Sequence, residues 1–290
     1  MSDLLPFQHN KPLKEVSTFC IGGPARLFVE IDSEKNMELA LAYATKEKIP
    51  FFVLGKGSNC LFEDRGFDGL VIHNKIAHLK IDGTTVDVGS GYSFSLLGFK
   101  TAKMGLSGLE FASGIPGSVG GAVFMNAGAN GLETADHLTQ VSFIDTEGRF
   151  CQFLKDDLQF SYRHSIFHEK KGVITSAKFS LIPCDKARSR QLNIIEYRTS
   201  SQPTQDASAG CAFRNPLGAS AGALIEKSGL KGFSIGGAEV SLKHANFIVN
   251  RSNASAQDVL DLVKLVQEKV KESSGITLEM EIRCVPYQIL

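Results

Sequence analysis

An arginine and a cysteine, in separate loops, are the residues with side chains best suited to catalysis. Arg163 follows Tyr162 in the sequence SYRHS, where a guanidinium beside a phenol could bind a carboxylate through two parallel hydrogen bonds. Cys211 lies in SAGCAFRNP with the cation Arg214 nearby, so its thiol could act as an acid or a nucleophile. A surface arginine and a buried cysteine are the structural alternatives, so neither residue alone decides the function.

Other polar residues near the C-terminal end are weaker candidates. Glu279 and Glu281 fall on one face of an expected final strand, and Arg283 continues the row, which is the usual pattern of a solvent-exposed strand. His244, in KHAN, is more typical of a structural histidine than of a catalytic one. These residues gain a function only from their context.

Glycine is concentrated in two places among its 28 positions in 290 residues. Directly after the apolar run FFVL comes a loop whose successive N–H groups can point into one concavity, as a phosphate requires. A second cluster is too glycine-rich for a stable helix and too apolar for a solvated loop, and a flat ligand could lie against it. Tight turns and close packing are the alternatives, but the two clusters together favour a dinucleotide-like ligand. The residues concerned are Gly55, Lys56, Gly57, Ser58 and Asn59 in the first cluster, and Gly114, Pro116, Gly117, Ser118, Gly120 and Gly121 in the second.

Composition and missing motifs exclude several classes of protein. Lys and Arg total 31 and Asp and Glu total 31, so there is no general electrostatic attraction to nucleic acid or to an anionic membrane. The apolar runs are too short to span a bilayer, and Met1 to Pro12 has no signal-peptide pattern, so we expect an unprocessed cytoplasmic protein. Six widely spaced cysteines without a C-x-x-C pair disfavour a zinc site, and we expect no metal. The P-loop and G-x-G-x-x-G signatures are absent.

The elements that would position these residues are of mixed α+β type. Ser33 to Ile49 is predicted as a helix with Ser33 as N-cap, and Ser255 to Ser274 as a helix opened by a capping box. The polar segment Asp185 to Arg190 marks the expected domain boundary. Further helices are expected at 92–104, 192–198 and 221–228, and strands at 19–31, 51–54, 70–73, 77–88 (two strands), 141–145, 150–154, 173–182, 245–250 and 276–285.

In combination these segments resemble the UDP-N-acetylenolpyruvoylglucosamine reductase (MurB) family. Each motif is modestly specific, but in this order they are strongly specific and extend over nearly the whole chain. The matching segments are STFCIGGPA from Ser17, LGKGSN from Leu54, GFDG from Gly66, GLSGLEF from Gly105, GIPGSVGGA from Gly114, MNAGA from Met125, YRHS from Tyr162, GLKG from Gly229, IGGA from Ile235 and HANF from His244.

The resemblance implies a vanillyl-alcohol-oxidase (PCMH-type) FAD-binding fold of two α+β subdomains with a C-terminal α+β substrate-binding domain. The expected division is 1–185 for FAD, with subdomains of about 1–73 and 74–185, and 186–290 for the substrate. Gly55 to Asn59 would hold the pyrophosphate of non-covalent FAD, and Gly114 to Gly121 would lie along the cofactor. NADPH would be the co-substrate, and the partner a small molecule, UDP-N-acetylglucosamine enolpyruvate, with a monomer favoured.

The resemblance also implies catalytic roles. Hydride adds to the β-carbon of an enol ether, so charge develops on the attached carboxylate, and Arg163 matches the arginine that meets this charge. Glu281, rather than Glu279, matches the acid of the last strand. Cys211 stands where better-known members have a serine that protonates the α-carbon, and a thiol with an ordinary pKa of about 8.5 is a far stronger acid than an alcohol.

Substrate contacts complete the expected site. Asn215 matches a substrate-contacting position, and Tyr162, Arg214 and His244 are expected beside it. The chain lacks the inserted loop that carries a tyrosine over the substrate in longer relatives, and Ser201 precedes Gln202 where some relatives have a lysine. Two alternatives remain open: a sugar or lactone oxidase of the same fold, and a nucleotide-binding module without activity.

Overall fold

The computed structural model describes residues 5–288, so part of the expected unprocessed start, at residues 1–4, lies outside it. The chain folds into a mixed arrangement of helices and strands, as the sequence predicts. Seven α-helices lie within the described range: α1 Glu34–Lys46, α2 Phe94–Lys103, α3 Val119–Phe124, α4 Thr134–His137, α5 Ala187–Ser201, α6 Ala221–Lys227 and α7 Ala256–Ser274.

Nineteen strands within residues 5–288 form small sheets. They are β1 Gln8–Pro12, β2 Pro24–Ile31, β3 Phe51–Leu54, β4 Cys60–Phe62, β5 Phe67–Asn74, β6 Leu79–Asp82, β7 Thr85–Gly89, β8 Leu106–Ser107, β9 Gly128–Ala129, β10 Leu132–Glu133, β11 Leu138–Asp145, β12 Phe150–Leu154, β13 Gly172–Ser180, β14 Ile182–Pro183, β15 Ser208–Cys211, β16 Ser234–Ile235, β17 Ala238–Val240, β18 Phe247–Asn250 and β19 Arg283–Val285. The three larger sheets have the orders β1-β2-β5-β3, β12-β11-β13-β7-β6 and β15-β18-β17-β16.

The chain divides into two compact units, and each unit is built from three separate segments of the sequence. Within the described residues, the first unit contains 5–8, 28–56 and 70–198, and the second contains 9–27, 57–69 and 199–288. The expected division between residues 185 and 186 stays a prediction, and the chain passes between the units inside α5 at residues 198 and 199.

The core of the first unit is the inner face of the five-stranded antiparallel sheet. Apolar side chains of β7, β11 and β13 line this core together with α2 and α3, and the middle parts of β11 and β13 are buried on both faces. Its fully buried large side chains include Phe94, Phe111 and Phe179. Ser118, the N-cap of α3, lies at the edge of this core, whereas Gly55 and Lys56 follow β3 of the sheet β1-β2-β5-β3.

The core of the second unit is built on the apolar stripe of α7. Val259, Leu262 and Val266 recur at helical spacing and are buried, as the sequence predicts. Phe19, Ile21 and Leu61 belong to the same core cluster, so segments from early in the chain complete it. The last strand, β19, pairs in parallel with β4.

Two predicted elements are wrong. Val119–Phe124, within the glycine cluster, is a helix, because the Ser118 hydroxyl caps its first turn and Val119, Ala122 and Val123 are buried. The final strand covers only Arg283–Val285 and not 276–285. Residues 279–281 instead pair with residues 212–214 through an isolated bridge and two backbone hydrogen bonds.

Candidate active site

The candidate phosphate loop follows β3, as expected, and its first glycine faces a helix terminus. A Cβ atom at Gly55 would overlap the hydroxyl oxygen of Ser118, the N-cap of α3. The backbone of Gly55 therefore approaches that helix start more closely than any other residue type would allow. This close approach gives one structural reason for the glycine.

The ammonium group of Lys56 lies at the N-terminus of a second helix in the first unit. Its Nζ donates to the Ser93 hydroxyl at 2.9 Å, and Ser93 is the N-cap of α2. Partial burial lowers the pKa of Lys56, and the charge of Lys75 lowers it further. Ser93 and Ser118 also form a backbone bridge, so two helix starts and one lysine lie around the same point.

The second cluster of glycines packs tightly against its own unit. Phe94 N donates to Gly117 O at 3.0 Å, and Gly120 N donates to Ser90 O at 2.7 Å. A Cβ atom at Gly114 would overlap the Arg198 side chain. The exposed positions of this segment are Pro116 and Gly121, which leaves only part of the cluster open to a ligand.

The far half of the phosphate loop belongs to the second unit. Gly57 has φ +63° and lies against the backbone of Val16 and Ser17. Thr18 donates through its hydroxyl to Ser208 O at 2.7 Å and through its N–H to Gly57 O at 3.3 Å. Thr18 therefore ties the loop to the strand that carries Cys211.

Arg163 lies at the tip of a two-residue turn in the first unit. Ser161 and His164 exchange two backbone hydrogen bonds of 3.2 and 3.1 Å, and Arg163 has φ +59°. Its Cζ lies 4.8 Å from the centre of the Tyr162 ring, and its Nη2 donates to Gly128 O at 3.3 Å. Both contacts restrict the guanidinium, as bidentate binding of a carboxylate requires.

A buried asparagine holds that turn in place. Asn126 donates to Ser161 O at 3.1 Å and to the Glu133 carboxylate at 2.8 Å, and it accepts from Ala135 N at 3.0 Å. Its side chain is almost fully buried, so these bonds are not exchanged with water. Asn126 was not a candidate from the sequence; a polar residue in the apolar and glycine-rich segment FMNAGA is the signal that could have identified it.

Cys211 ends β15 in the second unit, and a second buried asparagine orders the residues that follow it. Asn246 accepts from Phe213 N at 3.0 Å and donates to Phe213 O at 2.8 Å, while its own carbonyl accepts from Ala212 N at 2.7 Å. Cys211 is half-buried and lies opposite Phe247 of β18. Asn246 was also missed as a candidate, although it lies in the quoted segment HANF.

Glu281 and Cys211 lie on adjoining backbone segments of the second unit. Glu281 N donates to Ala212 O at 2.8 Å, and Arg283 N donates to Asn59 O at 3.0 Å. Gly210, with φ +79°, lies so that a Cβ atom would be 3.9 Å from Ser58 O. The thiol, the acid and the far half of the phosphate loop are thus joined within one unit, whereas Arg163 belongs to the other unit.

The remaining expected substrate residues surround the same strands of the second unit. Arg214 pairs with Glu279 at 3.8 Å, and Arg214 N donates to Glu279 O at 2.9 Å. Asn215 accepts from Ala221 N at 3.0 Å, which orients the start of α6. His244 accepts from Asn246 N at 3.2 Å through Nδ1, so it also supports the asparagine beside Cys211.

The described residues bear on both metal ligation and membrane insertion. Within residues 5–288 there is no group of three or more His, Cys, Asp or Glu side chains arranged to hold a metal ion. Across the same range, no helix combines the length and the apolar character needed to cross a bilayer.

Two family models match the chain. The model described as "UDP-N-acetylenolpyruvoylglucosamine reductase, C-terminal domain" matches residues 202–285, and the model described as "FAD binding domain" matches residues 25–153. The first match contains Cys211, Arg214, Asn215, His244 and Glu281. The second contains both glycine clusters.

Curated relatives and a solved structure are similar over nearly the full length. A UDP-N-acetylenolpyruvoylglucosamine reductase from Protochlamydia amoebophila is 56% identical over 98% of this chain and 95% of its own length. The protein of that name from Chlamydia muridarum is 48% identical over 99% of this chain and 98% of its own. The crystal structure of UDP-N-acetylenolpyruvylglucosamine reductase (MurB) from Thermus caldophilus has a TM-score of 0.83 and 37% identity, and the match covers 97% of this chain and 99% of that one.

Proposed function

This chain belongs to the UDP-N-acetylenolpyruvoylglucosamine reductase family, and on that premise we propose which residues carry the reaction and which co-substrate supplies the electrons. It is a flavin-dependent oxidoreductase with the PCMH-type FAD-binding fold and a C-terminal domain. Its reaction reduces the enolpyruvyl ether of UDP-N-acetylglucosamine to UDP-N-acetylmuramate, a peptidoglycan precursor. A cytoplasmic location and a monomeric state remain predictions from the sequence.

The residues of the first glycine loop fit a diphosphate. Gly55 has no room for a side chain, Lys56 adds a cation, and Ser93 and Ser118, the N-caps of α2 and α3, adjoin the loop. Successive backbone donors with one nearby cation suit two linked phosphates. We therefore assign Gly55 to Asn59 to the FAD pyrophosphate and the segment from Gly114 to Gly121 to the rest of the cofactor.

NADPH is the proposed electron donor. Bound FAD would supply the chemistry that carries a hydride from NADPH to the β-carbon of the substrate double bond. A proton must then reach the α-carbon, so that the product gains one hydride and one proton and NADPH leaves as NADP+. The protein side chains have to provide that proton and to stabilise the charge that forms before it arrives.

Arg163 is proposed to bind the substrate carboxylate. Negative charge is delocalised onto this carboxylate when hydride reaches the β-carbon, and a restricted guanidinium needs little reorganisation to stabilise it. The contacts with Tyr162 and Gly128 support this role because they limit the rotamers of Arg163 before substrate binds.

Cys211 is proposed to donate the proton from its Sγ to the α-carbon. A thiol is a stronger acid than the serine hydroxyl found in better-known members, so the transfer does not need a relay. The bonds that Asn246 makes to Ala212 and Phe213 support the role, since they fix the backbone that follows the thiol.

Glu281 is proposed to stabilise the enol-like intermediate through a hydrogen bond. The single observation that carries this assignment is the backbone bond from Glu281 N to Ala212 O, next to Cys211. Substrate contacts are assigned to Tyr162, Arg214, Asn215 and His244. The relatives reported above all carry the reductase name, so nothing in them supports a sugar or lactone oxidase.

The test is a visible spectrum of the purified protein under anaerobic conditions. We expect a flavin spectrum that bleaches on addition of NADPH and returns only when enolpyruvyl-UDP-N-acetylglucosamine is added. Reoxidation by oxygen but not by this substrate would contradict the proposal and favour an oxidase. Bleaching by NADH at equal rates would contradict the choice of NADPH alone.

A further inference from the structure

A buried histidine of the first unit adjoins the start of the phosphate loop. His73 lies in β5, and its register partner in the parallel strand β3 is Leu54, the residue before Gly55. Its side chain is enclosed, with a relative exposure of 8%. The Phe28 ring of β2 lies 5.7 Å from the imidazole. The mechanism proposed above gives this histidine no role.

Charged groups of β2 and of the residue after β5 lie near His73. Glu30 of β2 places Oε1 3.0 Å from Nδ1 of His73 and 3.7 Å from Nζ of Lys75, which follows β5. Lys56, in the loop after β3, is close enough to Lys75 for the two charges to interact. The imidazole and Lys75 therefore share one carboxylate, and Lys56 adds a further positive charge near Lys75.

Burial and neighbouring groups shift the pKa of His73 in opposite directions, with a net lowering. Burial lowers the pKa of His73 below its ordinary value, and the charge of Lys75 lowers it further, whereas Glu30 and the backbone of Gly55 raise it. The ring is thus neutral at neutral pH when the loop holds no anion. A further negative charge at the loop would favour the protonated ring.

We propose that His73 is a positioning residue for the Gly55 end of the phosphate loop, and that its protonation strengthens the binding of FAD. This inference rests on the proposed assignment of Gly55 to Asn59 to the FAD pyrophosphate. His73 pairs in register with Leu54, the residue before Gly55, and its Nδ1 lies 3.0 Å from Glu30, so it helps to fix the end of the strand from which the loop begins.

The sign of the pH effect follows from linkage. If a bound anion raises the pKa of His73, protons and FAD favour each other's binding, so FAD is held more tightly as the pH falls. Charges several ångströms apart near a protein surface interact by about 1 kcal/mol, which corresponds to an approximately fivefold change in affinity. The gain in affinity begins as the pH falls through the pKa of His73 in the complex, and it is complete only below the lower pKa of the free protein.

The experiment measures the release of FAD from the intact holoenzyme after dilution, followed by the return of flavin fluorescence between pH 5.5 and 8. In the wild type we expect the dissociation constant to fall as the pH is lowered, by up to about fivefold. In His73→Gln, which cannot be charged, we expect one weak affinity over the whole range. His78→Gln is the matched control, because His78 also pairs with a carboxylate, Asp87 at 3.3 Å, but does not adjoin the loop.

A second variant keeps the test valid if His73→Gln folds poorly. Glu30→Gln changes a half-exposed side chain and removes the group that raises the pKa of His73, so the transition should move to lower pH. The inference is overturned if the wild type releases FAD independently of pH, or if His73→Gln keeps the wild-type pH profile. Neither result would affect the flavin-dependent function, whereas a purified protein without FAD would contradict the function itself.

Discussion

Cys211 offers the sharpest test at the scale of single residues. Cys211→Ser restores the side chain of better-known members and should retain most of the turnover. Cys211→Ala has no proton to donate, so we expect turnover to fall by about 10²-fold or more while NADPH still bleaches the flavin. Steady-state rates and an anaerobic reduction experiment separate the two half-reactions.

Two results would contradict this role for Cys211. One is an alanine variant with normal turnover. The other is an alanine variant in which flavin bleaching by NADPH is lost together with turnover. Cys60→Ser serves as a control for general damage, because burial raises the pKa of Cys60 to about 11 and no step of the mechanism uses it.

Arg163 should not be replaceable by lysine. Arg163→Lys keeps the charge but not the paired donors, so we expect kcat to fall by about 10²- to 10³-fold with flavin reduction by NADPH unchanged. Arg149→Lys, at a surface pair with Asp145 of 2.7 Å, should leave kcat unaffected. Equal kcat values for Arg163→Lys and the wild type would contradict the proposed role of Arg163 in binding the substrate carboxylate.

The sequence alone could identify these residues only in part. Arg163 and Cys211 stand out as chemical groups, but their physical settings depend on contacts made by distant residues. Asn126 and Asn246 each hold a loop through three hydrogen bonds, and nothing in their own segments reveals the partners. Pairing of this kind is set by tertiary structure, which residue type and spacing do not encode.

At the scale of elements, the contact between the phosphate loop and α3 predicts an effect on cofactor binding. In Gly55→Ala the new methyl group would overlap the Ser118 hydroxyl, so we expect the loop to move and the FAD content of the purified protein to fall. Adding Ser118→Ala removes the overlapping oxygen and leaves a contact of 3.2 Å to the Ser118 Cβ, so part of the FAD content should return.

The matched control for that variant is Gly83→Ala, in the turn between β6 and β7. A Cβ atom there meets nothing within 4 Å, and only the φ of +58° opposes it. We expect a loss of about 1 kcal/mol in the free energy of unfolding and a normal FAD content. A Gly55→Ala protein that retains FAD as well as Gly83→Ala does would show that the loop is not constrained by Ser118.

The capping box of α7 predicts a pH-dependent stability. Asp258 accepts hydrogen bonds from Ser255 N and Gly237 N, which lower its pKa below the usual carboxyl value. The stabilisation is therefore present above the ordinary carboxyl pKa and is lost as the pH falls through the lowered one. Asp258→Asn should unfold more easily by about 1 kcal/mol at pH 7, and this difference should disappear in acid.

Urea unfolding at several pH values measures this effect, and Asp261→Asn is the control. Asp261 lies one turn later in α7 and bonds a side chain, Gln257, rather than backbone N–H groups. We expect its replacement to change stability by no more than about 0.5 kcal/mol. A difference for Asp258→Asn that stays constant down to acid pH would contradict the ionised cap.

Most elements could be predicted because their signals are local. Ser33 and Ser255 mark the starts of α1 and α7, and Gly105 follows α2 with φ +74°. The failures have tertiary causes. In α3 packing overrides the low helix propensity of glycine, and residues 276–282 have strand-like alternation but lack a continuous partner strand.

At the scale of the whole molecule, the second unit should not fold from its C-terminal part alone. Residues 199–290 lack Phe19, Ile21 and Leu61 of the core and the β4 partner of β19. We expect this fragment to unfold without a cooperative thermal transition, whereas the full chain unfolds cooperatively. A fragment with a sharp transition and a dispersed NMR spectrum would show that the early segments are dispensable.

The second unit is built from segments that are far apart in the sequence, and this separation determines when its core can form during synthesis on the ribosome. Phe19 and Ile21 emerge early, but their partners in α7 follow more than 200 residues later. At a translation rate of ~5–20 residues per second, these apolar side chains are synthesised at least about 10 s before the helix that completes their core. The nascent chain therefore carries an exposed hydrophobic segment near its N-terminus until translation is nearly complete, which makes that segment a natural target for a chaperone.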